Sequence, residues 1–548
     1  MNKTMKQLLV ALLAISSTGC FAAATTVDTN RSTLNLMLPR DGVAHESMLS
    51  GFTCGHHDKD MDKDADEHVT VKMVVSGFYN QTRSEAEMAK YLGLNNSGTI
   101  LFQGSTNGGN SITNAGSVAL GSMLRNKVRN FRSDVSANTG TITNDVDTIV
   151  AGAYNSLGQN IPGLADRSLT LNPRSRMGGA HGDVFVDFNS VIAGLSFRAG
   201  SAVAFRTNNL RETFSTEAAD TVSPSTLQEY LQGTTRADSQ LPLAYAKIPG
   251  RSVSTTRATE VDLQLKYRLV KKEKYSFAAH ADMLVPTGNE PTGEFLFEPI
   301  VSAQGFRAGA GLGFNYRFFK SDNGKNKATF KADVKWQYGF ANDQWRVLDV
   351  NNVAWGKYLL MVKKGNTGVV KAARDYPTPG VGDNYQGNHD YAYVGQEFIP
   401  GANVLRQKVS VEQRNIVEAR AMFNFKQRNF DFEAGYQFSF KQEEKNSLKT
   451  AWVDGSYLFI LPAYNPLIAE GASAGTVVQN NATNSLAINA ADLVMNHGQQ
   501  MWHTAFASVG YSRNDVMFSL GGSYNFSSKE EQRTPRSWDV FGKIGMNF

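Results

Sequence analysis

The chain has 548 residues, 41% of them hydrophobic, with 55 Lys and Arg against 50 Asp and Glu and a net charge of +5. That balance is too mild and too dispersed for a nucleic-acid-binding protein, whose cations would cluster on one face. No run of about 18 apolar residues occurs, so no helix of this sequence is expected to span a bilayer.

Lys3 and Lys6 precede an apolar run from Leu8 to Ile15, and small residues follow at Ala22, Ala23 and Ala24. This is the layout of a secretory signal peptide, expected over residues 1–24. Gly19–Cys20 offers the rival reading of a lipoprotein signal, although Ser17 and Thr18 do not supply the leucine usual three residues before the acylated cysteine. Cleavage after Ala24 leaves Cys54 as the single cysteine, which forms no internal disulfide. Stability must then come from elsewhere, and a closed hydrogen-bonded barrel would supply it.

Residues 25–66 read as a periplasmic linker, acidic and rich in His. Asp58, Asp60 and Asp62 are spaced like the first ligands of a calcium loop. Lys63 stands where the loop needs Gly, however, and Val69 where it needs Glu. His56, His57 and His68 with Cys54 form an alternative set for a borderline metal. A solvated acidic linker accounts for the same residues more simply. No cofactor is expected.

Val69, Val71, Met73 and Val75 alternate with more polar neighbours and predict a first strand. Residues 80–180 then lose the alternation. Ser84-Glu85-Ala86-Glu87 has capping-box spacing, and Val118–Arg132 and Asp145–Leu157 carry helical patterns. A structureless loop of this length is uncommon, so a folded insertion is expected, either a cap above a barrel or a plug inside it. From Asp183 the period of two becomes regular. It continues through Leu195–Phe205, Val261–Leu269, Phe277–Val285, Phe306–Lys320, Ala328–Phe340, Val417–Lys426, Phe430–Lys441, Thr504–Ser512 and Val516–Phe526. Links alternate between short (271–274, 321–327, 427–429, 513–514) and long (208–256, 287–305, 342–410, 444–502). Asn484–His497 reads as an amphipathic helix within the last long link.

The closing stretch is the most informative. Trp538, Val540, Ile544, Met546 and Phe548 share one parity, and Asp539, Phe541, Lys543, Gly545 and Asn547 the other. An alternating strand ending on an aromatic resembles the closing strand that bacterial outer-membrane β-barrels present to their assembly machinery. The resemblance is porin-like in layout and covers residues 67–548. It implies an all-β, transmembrane, antiparallel up-and-down barrel of about 12 strands (10–14), with helical insertions in long external loops. Residues 342–410 leave room for one more hairpin. The implied surroundings are outer-membrane lipid and the barrel-assembly machinery of a Gram-negative bacterium. The oligomeric state, monomer or trimer, stays open.

The inward face of such a barrel would carry Lys266, Arg268, Arg307, Arg317, Lys331, Asp333, Lys335, Glu418, Arg420, Asp431, Glu433, Lys441 and Lys543. Basic residues lead, which favours a passive channel for small polar, anionic solutes. The same charges could instead pair across strands and fill a narrow barrel, leaving the long loops to carry adhesion or display. A hydrolase is the third reading, because Ser276, His280 and Asp282 share one face of one strand. Residues two apart on a strand are about 7 Å apart, however, too far for a hydrogen-bonded set.

Overall fold

The computed structural model describes residues 69–83, 99–103, 117–119, 131–135, 142–146, 167–214, 227–234, 241–301, 305–322, 324–351, 353, 355–364, 369–376, 388–394, 398–460, 485–495, 498–513, 515–527 and 536–548. The signal peptide, Cys20, Cys54, the Asp58–Asp60–Asp62 and His56–His57–His68 groups and the Ser84–Glu87 box lie outside these residues.

Besides a short thirteenth strand, Lys445–Leu448, added at the outer end, the main sheet is a closed ring of twelve antiparallel strands. In chain order they are β1 (Thr70–Thr82), β2 (Arg174–Asp187), β3 (Leu195–Asn209), β4 (Val253–Lys271), β5 (Tyr275–Pro286), β6 (Arg307–Lys320), β7 (Asn326–Val347), β8 (Arg406–Gln427), β9 (Phe430–Lys441), β10 (Gln500–Arg513), β11 (Val516–Phe526) and β12 (Ser537–Asn547). Each pairs with its sequence neighbours. β12 then returns to β1, with Gly77 opposite Gly542 and Tyr79 opposite Val540. Phe548 locks the foot of that seam, its N–H donating to the Val71 carbonyl at 2.9 Å. Closure leaves the ring no unpaired edge, which is what a sheet in lipid requires.

All twelve predicted strands are present, and several are longer than their alternation showed. β2 begins at Arg174, nine residues before Asp183, across Gly178, Gly179 and Gly182, which carry no hydropathy signal. The suspected further hairpin is not part of the ring. Gln344 continues β7, and Leu360–Lys363 pairs with Tyr457–Ile460 in a separate small sheet.

The five short turns and both strand termini at the seam lie at one end, and the long links lie at the other. Those links build a common apolar core beyond the rim. Leu171 comes from the first link, Tyr230 from the second, Phe297 from the third, Tyr358 and Leu360 from the fourth and Phe459 from the fifth, all nearly or fully buried. Two short helices, α1 (Leu227–Gln232) and α2 (Gly401–Leu405), belong to this cap. Most of the rest of the described insertion is sheet. Val118–Arg132 meets strands at Ser117–Ala119 and Phe131–Val135, and Ile142–Val146 overlaps the start of Asp145–Leu157. The described part of Asn484–His497, residues 485–495, is not an α-helix either and holds only one helical turn, a 3-10 turn at Ala490–Asp492. Leu486 pairs with Phe459 on a strand edge, and Ile488 and Leu493 enter the cap core. Strand pairing and burial of Ile488 and Leu493 in the cap override a weak helical period there.

The cap is held by hydrogen bonds between distant links. The Tyr230 hydroxyl donates to the Tyr358 carbonyl at 2.6 Å, and the Tyr358 hydroxyl donates to the Ala246 carbonyl at 2.7 Å. Burial pushes both phenols above their ordinary pKa, so each stays a donor. Arg406 lies between the rings of Tyr245 and Trp345, at 4.4 and 3.9 Å.

Candidate functional site: the barrel lumen

Strand alternation sends one set of side chains outward and the other inward. Outward, Val75, Leu265, Leu312, Phe423, Leu520 and Ile544 are exposed, Leu520 by 65%. Inward, Lys72, Arg198, Lys331, Lys335, Lys441 and Lys543 are buried, Lys543 to 2%. A water-soluble protein does the reverse, since charged residues are rarely buried and continuous apolar belts rarely exposed. Aromatic side chains band both ends of the belt. Phe330–Phe423 and Phe430–Tyr511, each at 5.2 Å, lie near the short-turn end. Tyr79–Trp538 at 5.7 Å and His503–Phe526 at 5.4 Å lie near the other. The chain has the fold of a bacterial outer-membrane β-barrel. Val540, Ile544, Met546 and Phe548 of the closing strand face outward, as their parity predicted.

The lumen has three levels. At the long-link end it is entered by residues 287–301 of the β5–β6 link, which sequence reading placed outside. Arg206 Nη1 donates to the Ile300 carbonyl at 2.5 Å, and Asn208 Nδ2 to the Glu298 carbonyl at 3.0 Å. Both residues are on the inward face of β3. Val301 packs against inward-facing Met177 and Ala204, with Phe78 beside them. Asn289 ties the base of the link, its Nδ2 donating to the Pro299 carbonyl at 2.9 Å. Leu296, Phe297, Ile300 and Val301 are too apolar for a solvated loop, which signals that the link is buried but not what covers it. Around this level Asn80, Gln437, Ser439 and Thr504 are shut off from solvent.

The middle level is a layer of paired charge. β6 offers it only Gly309, Gly311 and Gly313, so side chains of β5 and β7 meet across that strand. His280 of β5 places Nδ1 2.6 Å from Asp282 and Nε2 3.2 Å from Asp333 of β7. A Cβ on Gly311 would fall onto the His280 ring. Gln264 donates to Asp282 at 2.8 Å. His280 and Asp282 thus do bond although two apart on one strand, because their side chains lean together, but Nε2 faces a carboxylate rather than a hydroxyl and the Ser276–His280–Asp282 set does not assemble. Nearby, Lys335 pairs with Glu418 at 2.9 Å and Arg198 with Asp183 at 2.9 Å.

The lowest level, at the short-turn end, is a cavity of about 240 Å³. Lys72, Arg198, Lys266, Arg268, Lys331 and Arg420 line it, against Asp187 and Asp333. Five of the thirteen predicted lumen residues thus share this vestibule: Lys266, Arg268, Lys331, Asp333 and Arg420. The other eight also lie on the inward face but elsewhere. Lys335 and Glu418 form the pair above. Arg307 donates to Gln413 at 2.9 Å, Arg317 to the Glu273 carbonyl at 2.7 Å, and Asn424 to Glu433 at 3.1 Å. Asp431 accepts from Ser512 at 3.4 Å, Lys441 pairs with Glu444 at 2.8 Å, and Lys543 lies 5.3 Å from the Phe541 ring centre. Sequence reading missed the roles of Arg206, Asn208 and Gly311. Each depends on a neighbour far away in sequence.

The family described as "Putative MetA-pathway of phenol degradation" matches residues 174–358, about a third of the chain. No curated protein matches. Similar solved structures include an outer-membrane channel from Pseudomonas putida F1, 8% identical, covering 89% of this chain and 100% of that one, with a TM-score of 0.31. The transport unit of the autotransporter AIDA-I from Escherichia coli is 8% identical, with coverage of 92% and 97% and a TM-score of 0.30. The toluene transporter TodX from Pseudomonas putida is 9% identical, with coverage of 88% and 90% and a TM-score of 0.27. At such scores these likenesses carry nothing about solute.

Proposed function

We propose that this protein is an outer-membrane channel of a Gram-negative bacterium, exported by a cleaved signal peptide and passing small polar, anionic solutes. In that setting the short-turn end faces the periplasm. The observation that carries the reading is the vestibule, where six basic residues stand against two acidic ones in a recess walled by protein. Such a recess concentrates anions, because low-dielectric walls focus the field of the cations lining it. Passage further up is closed by the 287–306 link. That link is tied to β3 by hydrogen bonds from two side chains, Arg206 and Asn208. Opening such a closure costs these hydrogen bonds, each worth about 0.5–1.5 kcal/mol net, and the packing of Val301 against Met177 and Ala204 as well. The phenol-degradation description of the family matching 174–358 favours solutes that carry an aromatic ring.

The test is single-channel recording in a planar bilayer under a salt gradient. The expected outcome is infrequent openings with anion preference, and more frequent openings in Asn208→Ala. Neutralising Lys331 and Arg420 should move the reversal potential toward zero. Stable insertion with no current in either protein would sink the channel reading. A packed lumen beneath a folded cap would then favour a non-conducting scaffold that displays its external face.

A further inference from the structure

Resting on the channel reading, with a test that separates the two, we infer that the periplasmic vestibule is a binding site for single-ring aromatic carboxylates. In a ring of twelve strands, those six apart are opposite one another. β1 and β2 bring Lys72 and Phe185 to one wall of the cavity, and β7 and β8 bring Lys331, Arg420 and Met422 to the facing wall. A ring entering here meets an aromatic face on one side and a thioether on the other, both favourable partners for a π-system. The cations around those two apolar surfaces supply the carboxylate. Arg198 lies 5.8 Å from the centre of the Phe185 ring, oriented by its bond to Asp183. Arg420 is oriented in turn by Gln437 at 3.0 Å. Guanidinium groups held this way are suited to bidentate, charge-assisted bonds with a planar carboxylate.

The acidic groups offset part of this charge but do not cancel it. Asp333 bonds His280 and also interacts with Arg420 and Lys266, Arg198 is held by Asp183, and Asp187 accepts the Asn189 N–H at 3.0 Å, while six cations line the cavity against two carboxylates. The size also fits. A cavity of roughly 150 Å³ suffices for benzene, and this one, at about 240 Å³, has room for the acid group as well. A neutral hydrocarbon is disfavoured because it would strip water from six cations and return no hydrogen bond. A small inorganic anion would make no use of the apolar surfaces of Phe185 and Met422.

The experiment is equilibrium dialysis of benzoate against the full chain in detergent, with acetate and benzyl alcohol as comparators. Benzoate should bind about tenfold tighter than either, because each lacks one half of the recognition; tenfold corresponds to about 1.4 kcal/mol. Lys331→Gln and Arg420→Gln should each weaken benzoate by roughly tenfold, the loss of one charge-assisted contact. Phe185→Leu keeps the apolar bulk and removes the ring face. It should weaken benzoate severalfold and leave acetate unchanged. Benzoate binding no tighter than acetate, or equalled by benzyl alcohol, overturns the inference, and so does affinity that ignores all three substitutions. Dialysis needs no current. Benzoate binding without conductance would remove the channel and keep this site, and conductance without benzoate binding would do the reverse.

Discussion

The lumen and the cap are two interiors built from one chain by opposite chemistry. The cap excludes water with Tyr358, Leu360, Phe459 and their neighbours, and places its few polar groups in designated bonds such as Tyr230 to the Tyr358 carbonyl. The lumen is filled at mid-height with Lys, Arg, Asp, Glu and His, arranged so that cations meet carboxylates, as Lys335 meets Glu418 and Arg198 meets Asp183. An apolar interior tolerates a vacancy at the cost of a cavity. A charged interior does not tolerate a missing partner, because the remaining ion stays buried without compensation. The two regions should therefore respond differently to equally small changes.

The largest expected effect sits where they join. Glu444 bridges Arg346 at 3.0 Å and Lys441 at 2.8 Å, and all three are buried. Glu444→Ala takes the carboxylate away from two buried cations, of which Arg346 keeps its bonds to Gln344. It should cost about 3–5 kcal/mol in denaturant unfolding of the detergent-folded protein, the range for breaking a buried pair. A loss below about 1 kcal/mol would mean that water reaches this junction, and the contrast between the interiors would fail there.

Next comes the glycine stripe. Gly311→Ala puts a Cβ onto the His280 ring and against the Val334 carbonyl, so the ring must leave Asp282 or Asp333 and the neighbouring strand must give as well. Overpacking of this kind costs about 1–3 kcal/mol. Gly182, also in a strand but with nothing within 4 Å of where a Cβ would sit, is the control. Gly182→Ala should be neutral in the same unfolding assay. Equal effects at the two sites would show that the loss comes from the strand backbone and not from the His280 bridge.

In the cap, Tyr358→Phe removes one hydroxyl and leaves the buried Ala246 carbonyl without that donor. The cost should be about 1–3 kcal/mol, that of an unsatisfied buried acceptor. The loss should appear as earlier protease cleavage of the external links, with the barrel still resistant. Simultaneous loss of both would make cap and barrel one cooperative unit.

These positions also show where the sequence was informative. All twelve strands were legible because a lipid-facing wall imposes a strict period of two, as in Phe430–Lys441 and Trp538–Phe548. The same parity placed Lys331, Arg420 and Lys543 inside. Glycine carries no hydropathy signal, so the first half of β2 and the reach of His280 across Gly311 were invisible. The path of the 287–306 link was hidden for another reason. Its partners Arg206 and Asn208 lie about 90 residues earlier, and alternation within one strand says nothing about which distant loop covers it. Asn484–His497 misled because its apolar spacing suits a helix and an edge strand almost equally.

The smallest effect gives the sharpest comparison, since it holds chemistry and distance fixed and changes only the surroundings. Lys449 and Asp343 meet at 2.9 Å on the external rim, each well exposed. Lys335 and Glu418 meet at the same 2.9 Å inside the lumen, both largely buried. Water screens the rim pair, so a double-mutant cycle there should return a coupling of about 0–1 kcal/mol that shrinks further in salt. The lumen pair is screened far less, and its coupling should be severalfold larger and nearly independent of salt. A pair that is strong by coupling need not be stabilising overall, because desolvating both ions offsets the attraction. Removing both lumen partners together should therefore cost less than removing either alone. If the lumen coupling were instead as weak and as salt-sensitive as the rim's, ions would have free access to mid-barrel. The closed lumen would then have to be read as an open, hydrated pore.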